Sequence, residues 1–128
     1  MTIIFAILGT VAAPPLKCYE GPTQMDLNEC AVGEFKAADA AMNQQWAITA
    51  KQMKSRDIDL DRKTDKAPGY FDTLLAGQRV WIKFRDLHCT SLGYGARGVS
   101  IEPMLDAQCR ARLTRERTAQ LADLIATN

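Results

Sequence analysis

The sequence predicts an all-α protein, a three-helix antiparallel bundle with a long first helix and two disulfides. After residue 22 the apolar side chains recur at steps of three and four, and no alternating run indicates a strand. An N-terminal arm with glycine and proline, a polar connection and a glycine-rich connection divide the remainder into three segments. Because 128 residues can bury one core but not two, these segments form a single domain.

The first helix is predicted to begin after Thr23, whose side chain can cap it, and to reach about Arg56. Asp39 and Asn43 flank its apolar face, and Gly33 indicates a bend or an interruption. The stripe that forms this face consists of Phe35, Ala38, Met42, Trp46, Thr49 and Met53.

A polar connection at residues 57–66 separates the first two helices. Its aspartates alternate as in a calcium loop, but positions six and twelve hold Arg62 and Pro68 instead of glycine and glutamate. The segment therefore predicts a solvated turn. Pro68 suits the first turn of a second helix that runs to about Cys89. One face of this helix carries Phe71, Leu74, Gln78, Trp81 and Arg85.

The second connection, residues 90–99, contains three glycines and predicts a flexible loop that carries Tyr94 and Arg97. Ser100 is expected to cap the third helix, and Pro103 suits its first turn. The inner face of this helix is predicted to consist of Leu105, Cys109, Leu113, Arg117, Leu121 and Leu124.

Polar residues on the apolar faces predict an interhelical network. When the first two helices are matched level by level across their connection, Asp39 faces Arg85 or Asp86. Arg85 can hold a carboxylate with two parallel hydrogen bonds, and Asn43 and Gln78 are candidate partners nearby. We expect this network to hold the register of the helices. The alternative is a ligand site lined by Asp39 and Arg85.

The four cysteines, Cys18, Cys30, Cys89 and Cys109, are widely spaced and predict two disulfides rather than a metal site. Three pairings are possible, and the antiparallel bundle brings all four to one pole. We favour Cys18–Cys30 and Cys89–Cys109, because each closes a local loop. His88 adjoins Cys89, but neighbours on a helix point about 100° apart, so this pair does not predict a catalytic thiol.

The N-terminus predicts export. Residues 1–13 contain an apolar run of signal-peptide length that ends in small residues, although no basic residue precedes it. The alternative is a disordered or docked N-terminal strand. With residues 1–13 removed, residues 14–128 form the mature domain, which is expected to be periplasmic or secreted and without stable membrane insertion.

Composition argues against several functions. Sixteen basic and fifteen acidic residues leave a net charge of +1, whereas a nucleic-acid surface needs a clustered basic excess. No Ser-His-Asp set is recognisable around the single histidine, and one histidine with dispersed cysteines does not give a zinc ligand cluster. No glycine-rich phosphate loop follows a strand. The sequence therefore predicts no enzyme, no cofactor and no metal, and favours a protein partner.

Three segments resemble the lysozyme-inhibitor LprI-like family of small exported bacterial proteins. Residues 78–89 match its pattern Gln-Arg-x-Trp-Ile-x-Phe-Arg-Asp-x-x-Cys throughout. Residues 23–30 and 38–46 resemble its Thr-Gln, Asn-x-Cys and Ala-Asp-x-x-Leu-Asn-x-x-Tyr patterns, with Met42 for leucine and Trp46 for tyrosine. The third segment is carried by Gly98, Pro103, Met104, Cys109, Leu113, Thr114 and Arg117.

The resemblance implies a helical, disulfide-bonded exported domain, and the family name implies inhibition of a lysozyme. The active-site cleft of a lysozyme contains two catalytic carboxylates, and an inhibitor must occupy that cleft. Tyr94 and Arg97 are therefore the candidate partner-binding residues, because Arg97 is the only charge on the glycine loop. The alternative is a non-catalytic structural or accessory module of the bacterial envelope with another protein partner.

Overall fold

The computed structural model describes residue 18 and residues 20–126, and it confirms the all-α prediction. The described residues contain α1 (Gln24–Ile58), α2 (Tyr70–Gly93), a short 3₁₀ turn (Tyr94–Ala96) and α3 (Glu102–Ala126), with no strand. None of these helices is long and apolar enough to cross a membrane. The predicted signal peptide at residues 1–13 lies outside the described residues.

The start of α1 is built as the sequence predicts. The Thr23 hydroxyl oxygen accepts a hydrogen bond from the Asp26 backbone N–H, and the Asp26 carboxylate favours the positive end of the helix. The helix then runs without a break through Gly33, so the interruption expected there is wrong. A glycine inside a helix costs only about 1 kcal/mol relative to alanine, which the packing of a 35-residue helix can offset.

Asp57, in the last turn of α1, caps the start of α2. One carboxylate oxygen accepts from the Tyr70 N–H at 2.7 Å, and the other accepts from the Phe71 N–H at 3.1 Å. A Cβ atom at Gly69 would lie 2.8 Å from the nearer oxygen, so a side chain there would displace the Asp57 carboxylate from its position in the cap. The cap places the start of α2 at Tyr70 rather than at Pro68, and Asp57 is not part of a solvated turn.

The three helices run alternately up and down, so that α1 and α3 are parallel. Near one end the Asn28 side chain donates to the Ser100 carbonyl at 3.0 Å. Towards the other end the buried Thr49 hydroxyl donates to the Leu121 carbonyl at 2.9 Å. α1 packs most extensively against α3, and α2 packs more against α3 than against α1. The helix with the most extensive contacts to the other two is therefore α3 and not α2.

The core combines a small apolar cluster with closely packed small residues. Met42, Ala50, Met53, Leu74 and Leu121 form the cluster, with Trp46, Phe71, Trp81 and Ile125 packed around it. Small residues are also buried on α1 and α3: Ala31, Ala38, Thr49, Ala107, Ala111 and Thr114. Small side chains let two helix axes approach closely.

This packing corrects the predicted inner face of α3. Cys109 and Leu121 are buried as expected, but Leu105, Leu113 and Arg117 are only half-buried and Leu124 is 42% exposed. The large residues border the contact with α1, whereas small residues fill it. The helix also begins at Glu102, with Pro103 in its first turn, so Ser100 lies one residue before the N-cap position that was predicted for it.

Two disulfides join the chain at the pole where α1 and α3 begin and α2 ends. Cys18 pairs with Cys30, which ties the arm to α1, and Cys89 pairs with Cys109, which ties α2 to α3. The favoured pairing is confirmed. Since Cys89 is a half-cystine, the structure also excludes a free thiol beside His88.

Candidate functional site

The glycine-rich connection is more ordered than its composition indicates. α2 continues to Gly93, and the 3₁₀ turn follows directly. The Gly98 N–H donates to the Glu102 carboxylate at 2.8 Å, and the Val99 N–H donates to the Ala96 carbonyl at 2.9 Å. Gly98 has a φ of 77°, a conformation that favours glycine. The segment is therefore a hydrogen-bonded turn.

Tyr94 and Arg97 lie together on this turn. The Arg97 guanidinium lies 4.3 Å from the centre of the Tyr94 ring, and both side chains are exposed. A cation over an aromatic face contributes about 0.5–1 kcal/mol at an exposed site. The two predicted residues thus form one surface feature, an aromatic ring with a positive charge above it.

A row of apolar side chains on the exposed side of α2 leads to this feature. Val80, Phe84, Leu87 and Tyr94 are 70%, 56%, 63% and 46% exposed, and we call them the α2 outer face. Their spacing of four, three and seven residues puts them on one side of a helix. The His88 ring stacks on Phe84 with centroids 5.4 Å apart. This row was not predicted, because the stripe of Phe71, Leu74 and Trp81 already supplied an apolar inner face for α2.

Positive charge borders the α2 outer face. Arg79 and Lys83 are exposed on α2, and Arg97 lies at the end with Tyr94. None of the three forms an ion pair within the part of the chain that the structure describes. The nearby carboxylate of Asp86 is held by Arg85 and Arg110 instead. The surface therefore offers apolar contact area with unpaired cations beside it.

The predicted polar network centres on Arg85, which is buried on the opposite side of α2. Its Nη1 donates to Asp39 at 3.3 Å and to the Thr114 hydroxyl at 3.2 Å, and its Nε donates to Asp86 at 2.9 Å. The structure thus brings Asp39 and Arg85 together as the level matching predicts. Thr114 was missed, because its position depends on which side of α3 faces inward.

Gln78 and Asn43 do not join that network. Gln78 is buried, donates to the Met42 sulfur at 3.6 Å and accepts from Arg117 Nε at 2.9 Å. Asn43 is exposed and makes no side-chain hydrogen bond to any described residue, so its predicted role is not supported. Asn43 directly follows the buried Met42 on α1, and this step of one residue turns the Asn43 side chain away from α2.

Arg110 extends the Arg85 network at the disulfide pole. It donates to Asp86 and to Asp106, each at 2.8 Å, and to the Thr90 hydroxyl at 3.3 Å. The spacing of four between Asp106 and Arg110 is a helical ion-pair signal that the sequence already contained. These bonds connect α2 and α3 beside Cys89–Cys109, so the Arg85 and Arg110 side chains are occupied in structural contacts.

Comparison with known proteins bears on the family of this chain. A family model described as "Lysozyme inhibitor LprI" matches residues 17–121. An uncharacterized protein of Rhizobium meliloti (strain 1021) is 40% identical over 112 residues, which cover 88% of this chain and 81% of the relative. No solved structure shows a significant match to this chain.

Proposed function

The chain belongs to the lysozyme inhibitor LprI family, and we propose that it is an exported domain, residues 14–128, that inhibits a lysozyme by binding it with the α2 outer face. The observation that carries the proposal is the exposed row of Val80, Phe84, Leu87 and Tyr94. Contiguous apolar side chains turned away from a core mark interaction sites, and aromatic residues with arginine are enriched in protein interfaces.

The charges beside this row suit a lysozyme cleft. The working groups of that cleft are two carboxylates, and an inhibitor that covers them buries negative charge. Arg97 can donate two parallel hydrogen bonds to one carboxylate, while the Tyr94 ring beneath it keeps the guanidinium oriented. A net charge of +1 supplies little long-range attraction, so affinity depends on these close contacts.

Export is the second part of the proposal. Two disulfides are typical of proteins that fold outside the cytoplasm, where thiols are not kept reduced. The apolar run in residues 1–13 supplies a candidate signal peptide. A periplasmic or secreted location would also place the protein where it meets lysozymes.

A turbidity assay on bacterial cell walls tests the proposal. The purified oxidised protein, at micromolar concentration, is expected to slow clearing by at least one lysozyme type. Arg97→Ala and Leu87→Asp should weaken inhibition by about fivefold to thirtyfold, because each removes an interface anchor worth about 1–2 kcal/mol. Ile48→Asp is the matched control, since Ile48 is 57% exposed on α1 and lies outside the α2 outer face.

Absence of inhibition across several lysozyme types would contradict the proposed target. A pull-down from envelope extract with wild type and Leu87→Asp would then test the accessory-module alternative. Capture that Leu87→Asp abolishes and Ile48→Asp retains would assign the same surface to a different protein partner. Equal activity of all variants in the turbidity assay would remove the α2 outer face from the proposal.

A further inference from the structure

A cleft of about 410 Å³ lies at the pole opposite the disulfides, between the start of α2, the end of α3 and the connection between α1 and α2. Its walls are mainly apolar and include Met53, Leu74, Leu124 and Pro68. This volume falls within the range of small-molecule sites, which combine apolar walls with a few polar groups that orient the ligand. The cleft uses none of the four residues that form the α2 outer face.

Arg117 is the cation of this cleft. Its Nε donates to Gln78 at 2.9 Å and its Nη1 donates to the Gln120 side-chain oxygen at 3.2 Å, and the guanidinium lies 5.8 Å from the Trp81 ring. Within the described part of the chain no carboxylate pairs with it, whereas Arg85 and Arg110 each pair with two carboxylates and Arg112 pairs with one. Because a guanidinium has five N–H donors, Arg117 retains donors for an anion.

Desolvation makes an anion at Arg117 favourable. Burial lowers the pKa of the Arg117 guanidinium below its ordinary value, since a charge removed from water is less stable. A ligand carboxylate beside it would oppose that effect by direct attraction. In a half-buried site such a hydrogen-bonded pair is stronger than the same pair in water.

Gly77 leaves the cleft open along α2. It lines the cleft, and apart from the local helix backbone no atom lies within 4 Å of the position that a Cβ would occupy. Glycine in a helix interior costs about 0.5–1 kcal/mol relative to alanine, so the open space is maintained against local helix preference. An added side chain at this position would extend into the cleft without displacing a neighbour.

We propose that this cleft binds a small amphiphile whose single carboxylate contacts Arg117 and whose unbranched apolar body lies against Met53, Leu74 and Leu124. The one unpaired cation selects an anionic head, and the apolar walls select the body. Asp65 also lines the cleft, where its carboxylate accepts from the Ala67 N–H at 3.0 Å. Its negative charge disfavours heads with two charges, such as phosphate monoesters, so a monoanion fits best.

Titration of the full oxidised protein with decanoate tests the proposal, with binding measured by calorimetry and by tryptophan fluorescence. We expect saturable binding of decanoate but not of acetate, which lacks the apolar body, or of decyltrimethylammonium, which has the opposite charge. Arg117→Gln should weaken decanoate binding by about tenfold or more, because it removes a charged hydrogen-bond donor. Arg115→Gln is the matched control, since it removes the same charge from an exposed position on α3.

Gly77→Leu provides a second variant that does not depend on Arg117. Leucine is a strong helix former, so circular dichroism should show a fold at least as stable as wild type, while decanoate binding should be lost. Three results would overturn the proposal: no saturable decanoate binding, binding of decyltrimethylammonium as tight as that of decanoate, or unchanged decanoate affinity in folded Gly77→Leu.

Discussion

Arg85 lies on α2 and bonds side chains of both other helices. Asp39 on α1 and Thr114 on α3 accept from its guanidinium, which also lies 5.0 Å from the Phe35 ring and 5.3 Å from the Trp81 ring. Its side chain is 7% exposed, whereas that of Asp39 is 39% exposed. The two partners of this ion pair therefore contribute unequally, because water can solvate the carboxylate but not the guanidinium.

We predict that Arg85→Ala lowers the free energy of unfolding by about 3 kcal/mol and Asp39→Ala by about 1 kcal/mol. The first removes a buried group that joins three helices, and the second leaves Arg85 paired with Asp86. Urea denaturation measures both. Arg112→Ala, in an exposed pair with Glu116, is the control and should change little. If Arg85→Ala and Asp39→Ala lowered the free energy of unfolding equally, the unequal contribution of the two partners would be contradicted.

At the scale of the element, α2 depends on a cap supplied by another helix. Asp57 at the end of α1 accepts from the first two N–H groups of α2, and Gly69 provides the space for it. Its own N-cap residue is this glycine, which makes no side-chain cap. The cap orients α2, which presents the α2 outer face. The end of α1 therefore helps to position the proposed binding surface.

We predict that Asp57→Ala lowers the free energy of unfolding by about 1 kcal/mol, the usual effect of removing a helix cap. Asp59→Ala is the matched control, because Asp59 is exposed and its side chain makes no described contact. Thermal and urea unfolding measure the difference. If Asp59→Ala lowered the free energy of unfolding as much as Asp57→Ala does, the cause would be a general effect of removing a negative charge and not the loss of a cap.

At the scale of the whole molecule, the two poles are held by different means. Both disulfides lie at one pole, with the Arg110 bonds beside them. The opposite pole relies on the Asp57 cap and the apolar cluster, and it contains the cleft at Arg117. Covalent links thus stabilise the pole that carries Tyr94 and Arg97, while the opposite pole keeps an open cavity.

We predict that replacing Cys89 and Cys109 together by serine lowers the free energy of unfolding by about 3 kcal/mol, since loop closure no longer restricts the unfolded chain. The same change at Cys18 and Cys30 should cost slightly less, because sequence separations of 12 and 20 residues close loops of different length. Urea denaturation of both double variants gives the order. A larger loss at Cys18 and Cys30 would contradict this expectation.

Much of the fold could be predicted from local signals. Apolar periodicity indicates three helices, Thr23 caps the first, and cysteine spacing favours the observed pairing. The contact between Asp39 and Arg85 followed from matching levels along a helical hairpin, because an antiparallel pair with a short connection has little freedom of register. Residues 78–89 likewise carried the family resemblance, which the match over residues 17–121 confirms.

The sequence by itself thus determined the helices, their order and the family, since each depends on residues close in the chain or on strict spacing. It left three disulfide pairings open, and the structure shows the favoured one. Only the tertiary structure decided which side of each helix faces inward. Small residues, not leucines, fill the contact between α1 and α3, and this rotation buries Thr114 and exposes Leu124. It also leaves the α2 outer face uncovered and opens the cleft at Arg117, because both depend on how closely the helices approach.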